Sequence, residues 1–189
     1  MLLPEEKELI SQSLQGNHKA YGVLVDRYKY LIYTLACRML NNREDAEEVA
    51  QDTFVKAYKS LNTFNGDAKF SSWLYRIAYR KCLDRLKKEK RRPGTKSLEI
   101  DGVKDLRASG NVLDYIEGEE RSALLKAAID RLSEIDAALV TLYYYEQLTI
   151  REISGILDMS QNVIKVRLFR SRKHLGQLLV NKTEVINII

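Results

Sequence analysis

An all-α fold, built as two small helical units joined by a flexible linker, is what this sequence predicts. Apolar residues recur at spacings of three and four along most of the 189 residues, the period of one helix face. No stretch alternates strictly between apolar and polar residues, so no strand is expected. One segment of weak periodicity, carrying Gly102, Gly110 and Gly118 and mostly negative charge, divides the helical pattern in two. The implied boundaries are 1–93 for the first unit, 94–118 for the linker, 119–180 for the second unit and 181–189 for a C-terminal tail.

In chain order, Leu24, Val25, Tyr28, Leu31, Ile32, Leu35 and Met39 lie on one face of a first helix, broken by Asn41 and Asn42. A second helix turns Ala46, Val49, Ala50, Phe54, Ala57 and Leu61 inward, and Asn62 to Asp67 reads as a turn near Gly66. The third helix begins near Ser71, buries Trp73, Leu74, Ile77, Ala78 and Leu83, and ends in a charge run closed by Pro93-Gly94. After the linker, Leu124, Leu125, Ala128, Ile129 and Leu132 mark one helix and Ile135 to Glu146 another. Thr149 and Glu152 have the spacing of a capping box, opening a helix that buries Ile153, Ile156 and Leu157. Ser160 is the expected N-cap of a last long helix.

Composition narrows the function classes. The formal net charge of +5 fits a nucleic-acid partner without requiring one. Only Cys37 and Cys82 are present, which implies no disulfide framework and points to the cytoplasm. No leader is seen, and no apolar run approaches the roughly 20 residues of a membrane helix, so no membrane insertion is expected. His18 and His174 are far apart, which leaves little material for a His/Cys metal site, and no cofactor signature is read.

Three surfaces carry the functional argument. Thr149 to Leu175 reads as helix, short turn, helix, and the second helix buries Ile164, Leu168, Ser171 and Leu175. Its other faces carry Lys165, Arg167, Arg170, Arg172 and Lys173 with no acid among them. Ordinary surface helices mix signs, whereas a basic helix presented by a tight turn suits the major groove. Ser154, being small, is expected to let these two helices approach closely. A second surface is acidic: Glu44, Asp45, Glu47, Glu48 and Asp52, with Gln51 among them. Macrodipole complementation accounts for Glu44 and Asp45 but less well for Gln51 and Asp52, and an acidic face suits a protein partner better than phosphate. The third surface interleaves aromatic and basic residues from Phe64 to Lys88, the mixture that holds single-stranded DNA by stacking and charge. Part of that stripe, Phe70, Trp73 and Ile77, also has core spacing.

These residues resemble a known family. Asp45-Ala-Glu-Glu-Val-Ala-Gln-Asp-Thr-Phe54 resembles a stretch of region two of the sigma-70 factors. Phe70-Ser-Ser-Trp-Leu-Tyr-Arg-Ile-Ala78, followed by Cys82-Leu-Asp84, resembles that region's promoter −10 segment, and Val163-Ile-Lys-Val-Arg-Leu-Phe-Arg-Ser-Arg172 resembles the region-four recognition helix. The domain set resembles the extracytoplasmic-function (ECF) subfamily, with no autoinhibitory domain ahead of region two and no full region three. The resemblance implies that Asp45, Glu48, Gln51 and Asp52 dock on the clamp helices of the largest subunit of core RNA polymerase. It implies −10 DNA contacts by Phe64, Lys69, Phe70, Arg76, Arg80 and Lys81. It implies −35 contacts by Gln161, Asn162, Lys165, Val166, Arg167, Phe169, Arg170, Arg172 and Lys173. The acidic linker would take the place of the segment that enters the polymerase near the RNA path, and an anti-sigma factor is the implied regulator. Arg80, Asn162-Val163 and Val166 depart from the family pattern, so promoter preference is expected to be the chain's own.

A helix-turn-helix regulator of duplex operators would account for the C-terminal unit, but not for the acidic helix or the aromatic–basic segment. An enzyme would need a phosphate loop, a nucleophile elbow or paired metal ligands, none of which the sequence supplies. Asp84 and Glu89 read instead as surface partners for Arg80, Arg85 and Lys88.

Overall fold

The structure, a computed structural model, describes residues 4–91 and 118–186. Within them the chain forms helices α1 (Pro4–Leu14), α2 (His18–Leu40), α3 (Arg43–Lys59), α4 (Phe70–Lys90), α5 (Gly118–Ile129), α6 (Glu134–Val140), α7 (Ile150–Leu157) and α8 (Gln161–Ile186). No strand occurs among the described residues. The expected linker lies outside them apart from Gly118, which opens α5. The expected tail begins inside α8, which runs on to Ile186.

Local chemistry sets the helix ends. Asn17 caps α2 by accepting hydrogen bonds from the Lys19 and Ala20 amides. Asn41, at φ 50°, ends that helix in the left-handed region that asparagine tolerates, and Asn42 caps α3 through the Asp45 amide. The α3–α4 connection contains a 3-10 turn at Leu61–Thr63. Ser133 caps α6, and Thr149 and Glu152 form the full capping box of α7. The Ser160 hydroxyl accepts from the Val163 amide at 3.4 Å, as expected of an N-cap.

Helix α1 has no counterpart in the sequence reading. Its inner face carries Glu6, Ile10 and Ser13 rather than an apolar stripe, so periodicity does not reveal it. The Tyr28 hydroxyl donates to the buried Glu6 carboxylate and Arg27 pairs with Glu5 at 3.0 Å, which ties α1 to α2.

Helices α1 to α4 enclose a core of Leu24, Ile32, Leu35 and Met39 from α2, Val49 and Phe54 from α3, and Phe70, Leu74, Ala78 and Cys82 from α4. A smaller core of Ala128, Ile129, Leu132, Ala137, Val140 and Leu175 holds α5, α6 and α8 together. The two units also share one apolar interior. Leu139, Leu142, Leu148, Ile153, Ile156 and Leu157 are continuous with the first core, because α6 packs on α2 and α7 packs on α4. Burying one such side chain contributes about 1.5–3 kcal/mol, so this contact is a substantial interface.

The helix expected over Ile135 to Glu146 changes character midway. Beyond α6, Thr141–Tyr145 forms a π-helical turn, in which the Glu146 amide donates to the Thr141 carbonyl at 3.2 Å. The Thr141 hydroxyl bonds back to the Ala137 carbonyl at 2.8 Å, a local competitor of regular helix pairing. Gln147, at φ 52°, then ends the element, and the Leu148 amide closes on the Leu142 carbonyl at 3.0 Å. Both leucines thereby enter the shared core.

Candidate nucleic-acid interface

The rotation of α8 is fixed by its buried line, Ile164, Leu168, Ser171 and Leu175, the four residues the sequence placed there. Gln161, Asn162, Lys165, Val166, Phe169, Arg170, Arg172 and Lys173 are left exposed. Phe169 is 64% exposed although it is a large apolar side chain, a cost in water that contact with a partner would remove. Arg170 makes no ion pair among the described residues. Arg167 differs from the other basic residues: it is half-buried and bound to Asp136 of α6 at 2.7 Å. That ion pair braces α8 against α6. The sequence could not show this, because the partner lies 31 residues away on another helix. The Ser154 hydroxyl donates to the Met159 carbonyl at 2.6 Å and closes the turn between α7 and α8.

The aromatic–basic segment lies at the start of α4 and in the loop before it. Phe70 is 1% exposed and stacks on half-buried Trp73 at 5.5 Å, while Phe64 packs edge-on against Phe70 at 5.3 Å. Phe70 is thus a core residue that supports Phe64 and Trp73. The core spacing visible in the sequence holds for Phe70 more strictly than for Trp73. Lys69, Arg76 and Arg80 are exposed. The first turn of α4 has no acid and no side-chain cap, so its free amides add positive potential beside Lys69. Phe64, Lys69, Trp73 and Arg76 line a groove of about 780 Å³ whose opposite wall is Arg151, Glu152 and Gly155 of α7. The sequence reading missed this wall, which only the packing of the two units creates.

Acidic α3 lies beside basic α4. Arg85 binds Asp45 and, at 3.1 Å, Glu48, and Lys81 binds Asp52 at 2.8 Å. Lys81 therefore points to the acidic face. Asp45 is 8% exposed and caught by Arg85, so it is held more firmly than the other acids of α3. Glu48, Gln51 and Asp52 remain exposed. Arg85 reaches across to α3, and Glu89 of its own helix also favours its charge.

Ion pairs also cross between the units. Lys69 binds Glu152 at 3.1 Å, and Arg38 binds Asp130 at 2.9 Å. Burial works to raise the Glu152 carboxyl, but the Thr149 amide and hydroxyl and the Lys69 ammonium outweigh it and hold the group below its ordinary range. Burial pushes the Cys82 thiol up to about 12, so it is not a thiolate nucleophile. Among the described residues no cluster of His, Cys, Asp or Glu is placed to hold a metal ion, and no helix is long and apolar enough to cross a membrane.

Comparison with known proteins agrees with this arrangement. Residues 24–92 match Sigma-70 region 2, and residues 122–175 match Sigma-70, region 4. The chain is 33% identical to the ECF RNA polymerase sigma factor SigW of Bacillus subtilis, over 92% of this chain and 96% of that one. It is 29% identical to the ECF RNA polymerase sigma-E factor of Escherichia coli, over 89% of this chain and 91% of the relative. Among solved structures, the sigma factor RpoE in complex with the anti-sigma factor NepR from Bartonella quintana shares the fold with a TM-score of 0.66, at 21% identity, covering 85% of this chain and 97% of that one. CnrH in complex with the cytosolic domain of CnrY matches with a TM-score of 0.63, at 23% identity, covering 94% and 98%. With both sigma regions in order and similarity along nearly its whole length, the chain belongs to the ECF RNA polymerase sigma factors of the sigma-70 family.

Proposed function

We propose that this sigma factor directs core RNA polymerase to two-element promoters, with residues 1–93 reading and opening the −10 element and 119–180 reading the −35 element as duplex. The observation that carries the reading is the rotation of α8: one buried line leaves Asn162, Lys165, Val166, Phe169 and Arg170 together on an exposed face. Residues three and four apart share a face, so this set enters the major groove as one surface. Arg170 has the geometry for a bidentate guanine contact, and Gln161, Arg172 and Lys173 reach the flanking phosphates.

In the first unit, Phe64 supplies a stacking face, and Lys69, Arg76 and Arg80 with the open N-terminus of α4 supply cations for an unpaired −10 strand. Glu48, Gln51 and Asp52 form the face that docks on the clamp helices of the largest polymerase subunit. Polymerisation chemistry belongs to core, and this chain contributes recognition alone. Working with polymerase places it in the cytoplasm, and the solved relatives bound to anti-sigma factors support sequestration as its control.

Permanganate footprinting separates duplex binding from strand opening. Lys69→Ala and Arg80→Ala are expected to slow opening more than initial binding. Equal opening by wild type and both variants would refute the −10 assignment.

A further inference from the structure

We propose that the exposed apolar face of α8, formed by Val163, Val166 and Phe169, makes this chain a reader of thymine methyl groups, so that its −35 element carries thymines opposite these side chains. The inference rests on the −35 assignment made above and adds what that face reads.

Helix α8 turns one line of side chains into the core, Ile164, Leu168, Ser171 and Leu175. Successive residues of a helix are rotated by about 100°, which puts Val166 almost directly opposite that line. Val163 is 46% exposed, Val166 49% and Phe169 64%. Large apolar side chains gathered on one wet helix face mark a contact surface. The Ser160 hydroxyl accepts from the Val163 amide at 3.4 Å and fixes the start of the helix. Val163 therefore lies in the first turn, the part of a recognition helix that meets base edges.

Charge narrows the partner. Lys165, Arg170, Arg172 and Lys173 rim the face, and no acid occurs from Gln161 to Leu175. An unbroken basic rim selects a polyanion over a protein surface of mixed sign.

The major groove narrows it again. Base edges there present hydrogen-bond donors and acceptors, with one apolar exception, the 5-methyl group of thymine. Valine and phenylalanine neither donate nor accept. Closing them on guanine, cytosine or adenine strips water from polar atoms and replaces it with nothing. Closing them on thymine buries a methyl. Val163 and Phe169 are six residues apart, about 9 Å along the axis, which covers two to three base steps of about 3.4 Å. The face thus reaches more than one methyl, and Asn162 and Arg170, flanking Val166, are left for polar edges. Val163 and Val166 both depart from the family pattern, so this preference belongs to this chain.

The test uses holoenzyme reconstituted from the full chain and core polymerase. A −35 duplex is selected from a randomised pool. Each thymine in it is then replaced in turn by deoxyuridine, which deletes the methyl and keeps every hydrogen-bonding atom. Binding should fall roughly fourfold at each of at least two positions, equivalent to about 0.8 kcal/mol per buried methyl at 1.4 kcal/mol for each tenfold. Val166→Ala and Phe169→Ala, both at exposed positions, should each abolish the discrimination at one position and leave it at the other. Equal binding of all the deoxyuridine duplexes would overturn the methyl reading, leave the −35 assignment standing and give the apolar face to a protein partner. Discrimination that survives both alanine variants would overturn it as well. A pool that emerges with no base preference would refute the −35 assignment itself, and the methyl reading with it.

Discussion

Arg167 and Arg170 stand three residues apart on the recognition helix, and the structure assigns them opposite consequences. Arg170 is exposed and unpaired among the described residues, whereas Arg167 is bound to Asp136 at 2.7 Å. Removing a specific bidentate base contact costs about 1–3 kcal/mol and relaxes preference at one position. At 1.4 kcal/mol for each tenfold, Arg170→Ala should lower binding of the preferred −35 sequence about 5- to 150-fold. Sequences with another base at that position should lose little. Arg167→Ala removes a partly exposed ion pair, worth about 0.2–1 kcal/mol, and should lower stability slightly while leaving base preference alone. The assay is selection of a randomised −35 duplex by reconstituted holoenzyme at two salt concentrations. A phosphate contact behaves differently, since its loss weakens all sequences alike and reduces the salt slope by about one. A uniform loss for Arg170→Ala, or a changed base preference for Arg167→Ala, would refute the rotation of α8 deduced from its buried line.

Three further outcomes are expected. Asp52→Lys should weaken competition for core polymerase while moving the melting temperature little, since the Asp52–Lys81 pair is exposed and worth about 0–1 kcal/mol; undiminished competition would remove α3 from the docking surface. Leu142→Ala, at a fully buried position where the two cores meet, should lower stability by about 2–5 kcal/mol in denaturant unfolding, and a loss below about 1 kcal/mol would contradict its packing. Glu152 has a depressed folded-state pKa, so its contribution is present above the unfolded carboxylate range and is lost as pH falls through the folded value. Glu152→Gln should therefore melt below wild type near neutral pH and converge with it under acid, and a constant difference across that range would contradict the assigned ion pair.

What the sequence made legible was local. The buried faces of α2, α3 and α8 and the caps at Thr149 and Ser160 depend on neighbours within one or two helical turns. Helix α1 escaped because its inward Glu6 and Ser13 break the apolar pattern, and their burial depends on Tyr28 and on a bond back to the Leu9 carbonyl. Lys81 and Arg167 read as DNA contacts because each belongs to a basic run, yet each is claimed by an acid 29 or 31 residues away. Phe70 fitted both stacking and core spacing, and only the packing of Phe64 and Trp73 around it decides for the core. The apolar character of Leu139, Leu142 and Leu148 was plain, but their partner, the first unit, was not. An apolar face identifies no partner when the contact crosses from one unit to another.

The central claim is tested most directly by in vitro transcription from a genomic DNA library, with core polymerase alone and with this chain added. Transcripts should appear only with the chain, and their start sites should share two upstream elements separated by a constant spacer. Binding of the chain to duplex sites without core, together with no new transcripts when core is present, would contradict the account and leave a helix-turn-helix regulator in its place.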